Sequence, residues 1–306
     1  MITKIGIIGL GDIAQKAYLP VLNSREGYEF HLFSRDAHKL QQLGAQYRFS
    51  CLHNTLESLL QSGIKGAFVH SATDAHFEVV EALLNNNINV YVDKPVTLYY
   101  EQTKHLVELA AQKGLLFVVG FNRRFAPVYR KLKEVTEPSM IIMQKNRTAL
   151  PDELRRFIID DFIHVVDTLR FLFPYPISDL LVSGRKKGDL LYQVVIQLLA
   201  PTGQIAIGIM NRDSGHTEEK VEVMSATEKR TVYNVADLVI QQDRKITHIV
   251  GSDWEPTLHK RGFEQMITDF LQAVSGNGTP AISAQDALLT HEYCERIVEK
   301  LTALPG

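Results

Sequence analysis

Over the first 120 residues, short β-branched runs alternate with longer amphipathic stretches, and no other feature of the chain constrains its fold as much. The runs KIGIIG, YEFHLF, GAFVHS, INVYVD and LFVVG are bounded by turn residues and apolar enough to be buried on both faces, as the strands of a parallel sheet are. Between them, IAQKAYLPVLNS, AHKLQQLGAQY, HFEVVEALLNN and YEQTKHLVELAAQKG place apolar residues at helical spacing, the last closed by Gly114 as a C-cap. The alternation predicts a doubly wound α/β domain over residues 1–120.

Residues 121–306 follow another pattern. One helical stretch, DDFIHVVDTLRFLF, precedes the strand-like runs SDLLVSGRKKG, LLYQVVIQLL, QIAIGIMN, EKVEVMSA and KRTVYNV. Strands in succession predict an α+β domain with a large, mainly antiparallel open sheet. Helical periodicity returns in GFEQMITDFLQAVSG and SAQDALLTHEYCERIVEKL, where Ser283 and Asp286 are spaced as a capping pair, and these helices can pack back on the first domain. A length of 306 residues suits two domains, and there is no internal repeat or low-complexity linker. Arg185-Lys186-Lys187 reads as an exposed turn between two strands.

Lys and Arg number 33 against 35 Asp and Glu, a net charge of −2, with both signs interspersed, so no footprint for nucleic acid or an anionic membrane is present. The greasiest segment, LLYQVVIQLLA, carries two glutamines and falls short of a membrane span. The opening MITKIGIIGLGDIAQ lacks the basic flank and cleavage site of a secretion signal. Cys51 and Cys294 stand far apart, which argues against a disulfide framework or a CxxC-type zinc cluster, so no metal is expected and a reducing cytosol fits.

The chemistry-bearing motifs fall at strand ends. Gly9-Leu10-Gly11-Asp12-Ile13-Ala14 directly follows the first strand and opens the first helix. Gly9 permits a tight turn, Gly11 leaves room for a pyrophosphate, Ala14 allows close helix–strand packing, and the amides around Asp12 and Ile13 can hold the anion. The second strand ends in Phe33-Ser34-Arg35-Asp36, where an acidic residue would grip the ribose of NAD. Here Ser34 and Arg35 come first and favour the 2′-phosphate of NADP, with NAD as the alternative; Ser34 or Asp36 can also simply cap the next helix. Ser71, Thr73 and His76, and then Asp93-Lys94-Pro95, follow later strands and can face the nicotinamide half.

With these residues in hand, the chain resembles the Gfo/Idh/MocA oxidoreductases, the family of glucose–fructose oxidoreductase and inositol dehydrogenase, and within it the MviM-like branch. The resemblance rests on GLGDIA, the Thr73-to-His76 turn, DKP in place of EKP, Gly120-Phe121-Asn122-Arg123-Arg124-Phe125 and the carboxyl-terminal segment from GFEQM to CERI. It implies a Rossmann domain, a second domain with an open sheet, a nicotinamide cofactor, a Lys94 that points at substrate, and Asn122, Arg123 and Asp161 as substrate contacts. Asp160-Asp161-Phe162-Ile163-His164-Val165-Val166-Asp167 resembles the family's DxGxHxxD helix start. Helical spacing lets Asp160 and His164 share a face with Asp167 a further turn along.

Two departures stand out: Phe162 replaces a glycine and sets a ring beside the expected pocket, and Arg155 and Arg156 add charge, either for an acidic substrate or merely solvated. The expected activity is hydride transfer between nicotinamide and a secondary alcohol or ketone of a small sugar- or polyol-like substrate. Lys94 would stabilise the alkoxide, His164 would exchange the proton and Asp160 would orient His164. The rivals are a dinucleotide-binding sensor without turnover and a reductase of a C=N or conjugated bond. Apolar strands such as LLYQVVIQLL, together with the resemblance, lead to the expectation of a homodimer or larger assembly through the second domain's sheet.

Overall fold

The alternation at the amino terminus folds into a six-stranded sheet in the computed structural model, which describes residues 2–303. Its strands are β1 (Thr3–Ile8), β2 (Tyr28–Phe33), β3 (Cys51–His53), β4 (Gly66–Val69), β5 (Asn89–Val92) and β6 (Phe117–Val119), in the order β3-β2-β1-β4-β5-β6. Every pairing is parallel. The order reverses between β1 and β4, so their carboxyl ends border the crevice in which open α/β sheets bind ligands. The edge strand β3 is only three half-buried residues long, too short for periodicity to reveal. The first helix begins as a π-helical stretch, Ala14–Tyr18, and continues as Leu19–Leu22. Pro20 has no N–H to give the carbonyl four residues back and its ring crowds that carbonyl, which a widened turn relieves.

Residues 1–120 and Phe263–Leu289 form one compact unit, and Phe121–Gly262 with Thr290–Gly306 form the other. In the first, the helix Phe263–Val274 buries Met266, Ile267, Phe270 and Leu271. Phe270 meets Phe68 edge-on at 5.0 Å, and a Cβ on Gly66 of β4 would stand 3.0 Å from Val274.

The second unit holds β7 (Met140–Asn146), β8 (Asp152–Glu153), β9 (Asp179–Lys187), β10 (Leu190–Leu199), β11 (Ile205–Asn211), β12 (Glu218–Met224), β13 (Glu228–Tyr233), β14 (Asp237–Gln242) and β15 (Lys245–Ile249). The order is β15-β14-β13-β12-β7-β11-β10-β8, with β9 also on β10. Pairing is antiparallel except between β7 and β11, so the sheet is mixed and mostly antiparallel. Arg185, Lys186 and Lys187 belong to β9 rather than to a turn; the reversal falls at Gly188, where φ is +60°. Periodicity also passes over β7, whose second half, Gln144-Lys145-Asn146, is polar, and β15, which is largely exposed.

Register gives this sheet two faces. One carries the rows Leu198–Ala206–Ile141–Val223 and Ile196–Gly208–Met143–Val221, all buried, under the helix Ile163–Leu172. The fit is close: a Cβ on Gly208 would lie 2.9 Å from both Val165 and Leu169. The next row on this face, Val194–Met210–Lys145–Glu219, ends in two opposite charges. The other face shows Leu199–Ile205–Met140–Met224, half-buried. At the carboxyl end, Ser283 Oγ accepts the Asp286 N–H at 3.1 Å, as a capping residue should. No helix among the described residues is long and apolar enough to cross a membrane.

Candidate active site

Immediately after β1, Gly9 takes φ +87°, and a Cβ there would stand 2.3 Å from the Ser71 amide nitrogen. Only glycine lets the loops after β1 and β4 approach so closely. Gly11 has no atom within 4 Å of a Cβ position, which leaves the space an anion needs. These residues with Ser34, Arg35, Asp36 and Ser71 line a cleft of about 570 Å³. The buried Ser71 hydroxyl has no hydrogen-bond partner there. A glycine cradle, an orphaned hydroxyl and a cleft at the sheet's switch point fit a dinucleotide. Asp12 is exposed and paired with Lys16 at 2.8 Å, and Ile13 is also exposed, so their side chains stand outside this lining.

At the end of β2, Ser34 Oγ accepts the Asp36 N–H at 3.2 Å, and Asp36 caps the helix Ala37–Tyr47 by accepting the Lys39 N–H at 3.0 Å. Asp36 is thereby engaged with the helix; Glu78 also lines the cleft, and Arg35 lines it with no ion-pair partner among the described residues.

Thr73 opens a short 3₁₀ turn, Thr73–Ala75, ahead of the helix His76–Asn85. The buried ring of His76 faces the Pro95 carbonyl at 3.0 Å and the Val96 carbonyl at 3.2 Å through Nδ1, and the Ser71 carbonyl at 2.9 Å through Nε2. It braces the loops after β4 and β5 to each other and is not part of the cleft lining. Asp93 also lies at this edge of the sheet, at the end of β5. Its carboxylate turns inward and accepts the Lys94 backbone N–H at 2.9 Å, ahead of a cis Lys94–Pro95 peptide. Around it sits a buried polar group that periodicity reads as core: Tyr18 and Tyr91 share a hydroxyl contact at 2.7 Å, and His70 stacks on Tyr18 at 3.8 Å with Nδ1 4.0 Å from Asp93. Burial raises the Asp93 carboxyl against the opposing pull of Lys94, and burial followed by His76 pushes His70 down to about 3, so its ring is neutral near pH 7.

In the second unit the helix start departs from regular geometry. Leu154–Arg156 leads into a π-helical stretch, Phe157–Phe162, and then into Ile163–Leu172. Asp160 lies in the π-helical stretch, four residues before His164 in the first turn of the helix that follows. Asp160 faces Arg156 at 3.5 Å. Asp167 is a structural residue: it accepts Arg124 at 2.6 and 2.9 Å and the Thr290 hydroxyl at 3.0 Å. Phe162 is fully buried. Arg155 grips Glu295 with two bonds of 2.7 Å, so both arginines before the helix are in internal ion pairs.

The expected substrate contacts also have partners within this unit. Asn122 donates to the Arg261 carbonyl at 2.8 Å, and Arg123 holds Glu219 bidentately at 2.8 and 2.6 Å, with the Tyr129 hydroxyl on the same carboxylate at 2.6 Å. Asp161 accepts Lys145 and, at 3.3 Å, Arg147. Arg123, Lys145, Arg147, Thr217, Glu219 and Arg261 line a cavity of about 170 Å³. Burial opposes ionisation of both carboxylates but is outweighed: Arg123 above all pulls Glu219 down to about 2, and Lys145 with Arg147 holds Asp161 well below the usual carboxylate range. Burial and then Arg123 push the Lys145 ammonium downward, and the Arg261 guanidinium likewise.

A different cluster, Glu29, His31 and Cys51, brings possible metal ligands within 4.8 Å of one another. Both nitrogens of His31 already meet Glu29 and His53 at 2.9 Å, so the ring is held by hydrogen bonds.

Residues 3–121 match the oxidoreductase family with an NAD-binding Rossmann fold, known as GFO_IDH_MocA, and residues 127–244 match the YceM-like C-terminal domain. YceM of Salmonella typhimurium is 34% identical over 309 residues, covering 97% of this chain and 96% of that one. The chain belongs to the Gfo/Idh/MocA oxidoreductase family. A Gfo/Idh/MocA family oxidoreductase from Vibrio cholerae superposes with a TM-score of 0.89 at 31% identity, covering 98% of this chain and 99% of the other. A dehydrogenase (MviM) from Clostridium difficile gives 0.91 at 33% identity, covering 97% and 99%. Membership agrees with the glycine cradle after β1 and makes the nicotinamide dinucleotide the expected ligand of the 570 Å³ cleft.

Proposed function

We propose that this Gfo/Idh/MocA oxidoreductase uses NADP in preference to NAD and interconverts a secondary alcohol and a ketone on a small polyhydroxylated substrate. The observation that carries the cofactor reading is the end of β2. Asp36 is engaged as a helix cap, while the Ser34 hydroxyl and the unpartnered Arg35 guanidinium remain to meet a 2′-phosphate. Gly9, Gly11, Ser71 and Thr73 frame the rest of the dinucleotide, with backbone N–H groups at Asp12 and Ile13 toward the pyrophosphate. When bound, the nicotinamide supplies the hydride chemistry.

Lys94 carries the electrostatic part of the reaction. Its backbone N–H is pinned by Asp93, and its ammonium is assigned to hydrogen-bond the reacting oxygen and stabilise the developing alkoxide. His164, in the first turn of the helix Ile163–Leu172, is assigned to exchange the proton. Asp160 keeps the smaller part of a carboxylate at the helix start whose charge favours the imidazolium. The half-buried apolar row Leu199–Ile205–Met140–Met224 supports assembly into a homodimer through that sheet face, for which a monomeric mass in light scattering would be the contrary result. Free Cys51 and Cys294 suit a reducing cytosol.

The test is a screen of polyols, sugars and their keto forms with both cofactors, followed by the absorbance of the reduced nicotinamide. Turnover with NADPH or NADP, reduced by about 10²–10³-fold in Lys94→Ala with cofactor affinity kept, supports the assignment. His164→Asn should cost about 10²–10⁴-fold and flatten the limb of the oxidation profile that rises with pH, because only a neutral imidazole accepts a proton. Tight cofactor binding without turnover on any alcohol, ketone or imine would leave the sensor reading in its place.

A further inference from the structure

The first unit's cleft accounts for a cofactor, but the four cations around the small cavity of the second unit remain without a purpose. We propose that this cavity, lined by Arg123, Lys145, Arg147 and Arg261, is a binding site for the carboxylate or phosphate group of an anionic substrate. The inference rests on the oxidoreductase reading and narrows its substrate class from neutral polyols to acidic or phosphorylated ones.

Three carboxylates adjoin these cations, and each is already satisfied. Glu219 holds Arg123 and Tyr129, Asp161 holds Lys145 and Arg147, and Glu218 accepts the side-chain amides of Gln144 at 3.2 Å and Asn146 at 2.9 Å. Of the four cations, Arg261 has no ion-pair partner among the described residues although it is partly withdrawn from water. A guanidinium held at a cavity wall without a counter-ion is an unmet electrostatic demand, and a planar or tetrahedral oxyanion answers it with paired N–H···O bonds. Neutral donors join it: the Thr217 hydroxyl lines the cavity, and Asn234, whose Oδ1 accepts the Glu219 N–H at 3.1 Å, keeps its amide N–H₂ for a ligand. Asn234 and Val235 both take positive φ, +51° and +63°, in the cavity wall. A β-branched residue there is costly, and such strain collects where a ligand is gripped. A neutral sugar would leave that guanidinium without a counter-ion. Asp161, which anchors Lys145 and Arg147, stands three residues before His164, so the cavity adjoins the segment that carries the proposed proton acceptor.

The probe is inorganic phosphate, titrated calorimetrically into the full chain saturated with NADP, against chloride at matched ionic strength. Saturation with NADP occupies the Arg35 region, the other place where phosphate could bind. Binding that Arg261→Ala weakens by about tenfold to a hundredfold, and that Arg261→Lys partly restores, supports the site. Arg261→Ala removes no partner from a carboxylate, so the variant should fold, and an unchanged melting temperature checks this. Heats equal to those of chloride, or phosphate binding indifferent to Arg261, would overturn the site. A turnover arm compares a neutral polyol with its phosphorylated and carboxylated counterparts, and Arg261→Ala should raise KM about tenfold or more for the charged ones alone. Preference for the neutral polyol would count against the site while leaving the oxidoreductase intact. Arg261-dependent phosphate binding with no turnover of any kind would sustain the site and sink the oxidoreductase.

Discussion

The two pockets are built on opposite principles. The dinucleotide cleft depends on backbone: a left-handed glycine where the loops after β1 and β4 come close, and a second glycine with empty space beside it. The cavity of the second unit is made of side chains, most of them charged, with Arg123, Lys145 and Glu219 buried and held in ion pairs that came with the fold. A backbone-built site depends on what is missing and is damaged by adding atoms. A site built from charges depends on completeness, because removing one partner strands the other in a low-dielectric interior.

This contrast gives its sharpest prediction at Glu219. Glu219→Ala leaves the buried Arg123 guanidinium without its bidentate partner and should destabilise the protein by about 3–5 kcal/mol, read as a lowered denaturation midpoint with unchanged slope. The same group fixes the sign of an acid effect. Its folded-state value, about 2, lies below the ordinary 4.5, so its contribution is complete above about pH 5 and is lost as pH falls from 4.5 toward 2. Stability in Glu219→Gln should lose part of this dependence. A variant as stable as the parent would mean that the cavity's charges are dispensable and the contrast false.

The glycines should divide in the opposite sense. Gly9→Ala forces a Cβ to within 2.3 Å of backbone and an L-residue into φ +87°, so it should lower the melting temperature as well as cofactor affinity. Gly11→Ala meets nothing within 4 Å and should melt as the parent does, while NADPH affinity in a fluorescence titration falls about tenfold or more, because its methyl enters the pyrophosphate's space. Equal melting losses in both variants would erase the distinction between a turn glycine and a clearance glycine. The smallest effect belongs to Arg35. Arg35→Ala should weaken NADPH binding by about several-fold and leave NADH nearly untouched, since only NADPH brings a phosphate to that guanidinium.

The same contrast explains how far the sequence could be read. The cleft is encoded contiguously, in residues 9–14 and at the end of β2, and the six-stranded domain that holds it follows from runs buried on both faces, save for the three-residue edge strand β3. The charged cavity draws Arg123, Lys145, Glu219 and Arg261 from four separated segments, joined only by strand pairing and loop closure, and which distant strands pair is not written in the periodicity of each. Lys145 lies on a strand whose polar half hid it, and Asn122 and Arg123, expected to meet substrate, are held by their own unit. At the helix start, spacing presumes 3.6 residues per turn and so does not reveal the π-helical stretch around Asp160. His76 has the right neighbours but gives its ring nitrogens to carbonyl oxygens.

The helix Phe263–Val274 has a consequence for how the chain is made. Phe270 covers Phe68 and Tyr91, and Tyr91 donates its hydroxyl to Met266 sulfur at 3.1 Å, so part of the first unit's core is supplied by residues that leave the ribosome after 142 intervening ones. At about 5–20 residues per second, the nascent sheet waits on the order of ten seconds with an aromatic face open to water. Completion of the nucleotide-binding unit is therefore a late event of synthesis although its strands come first, and a ribosome stalled before residue 263 would hold an uncovered sheet, a ready client for a chaperone.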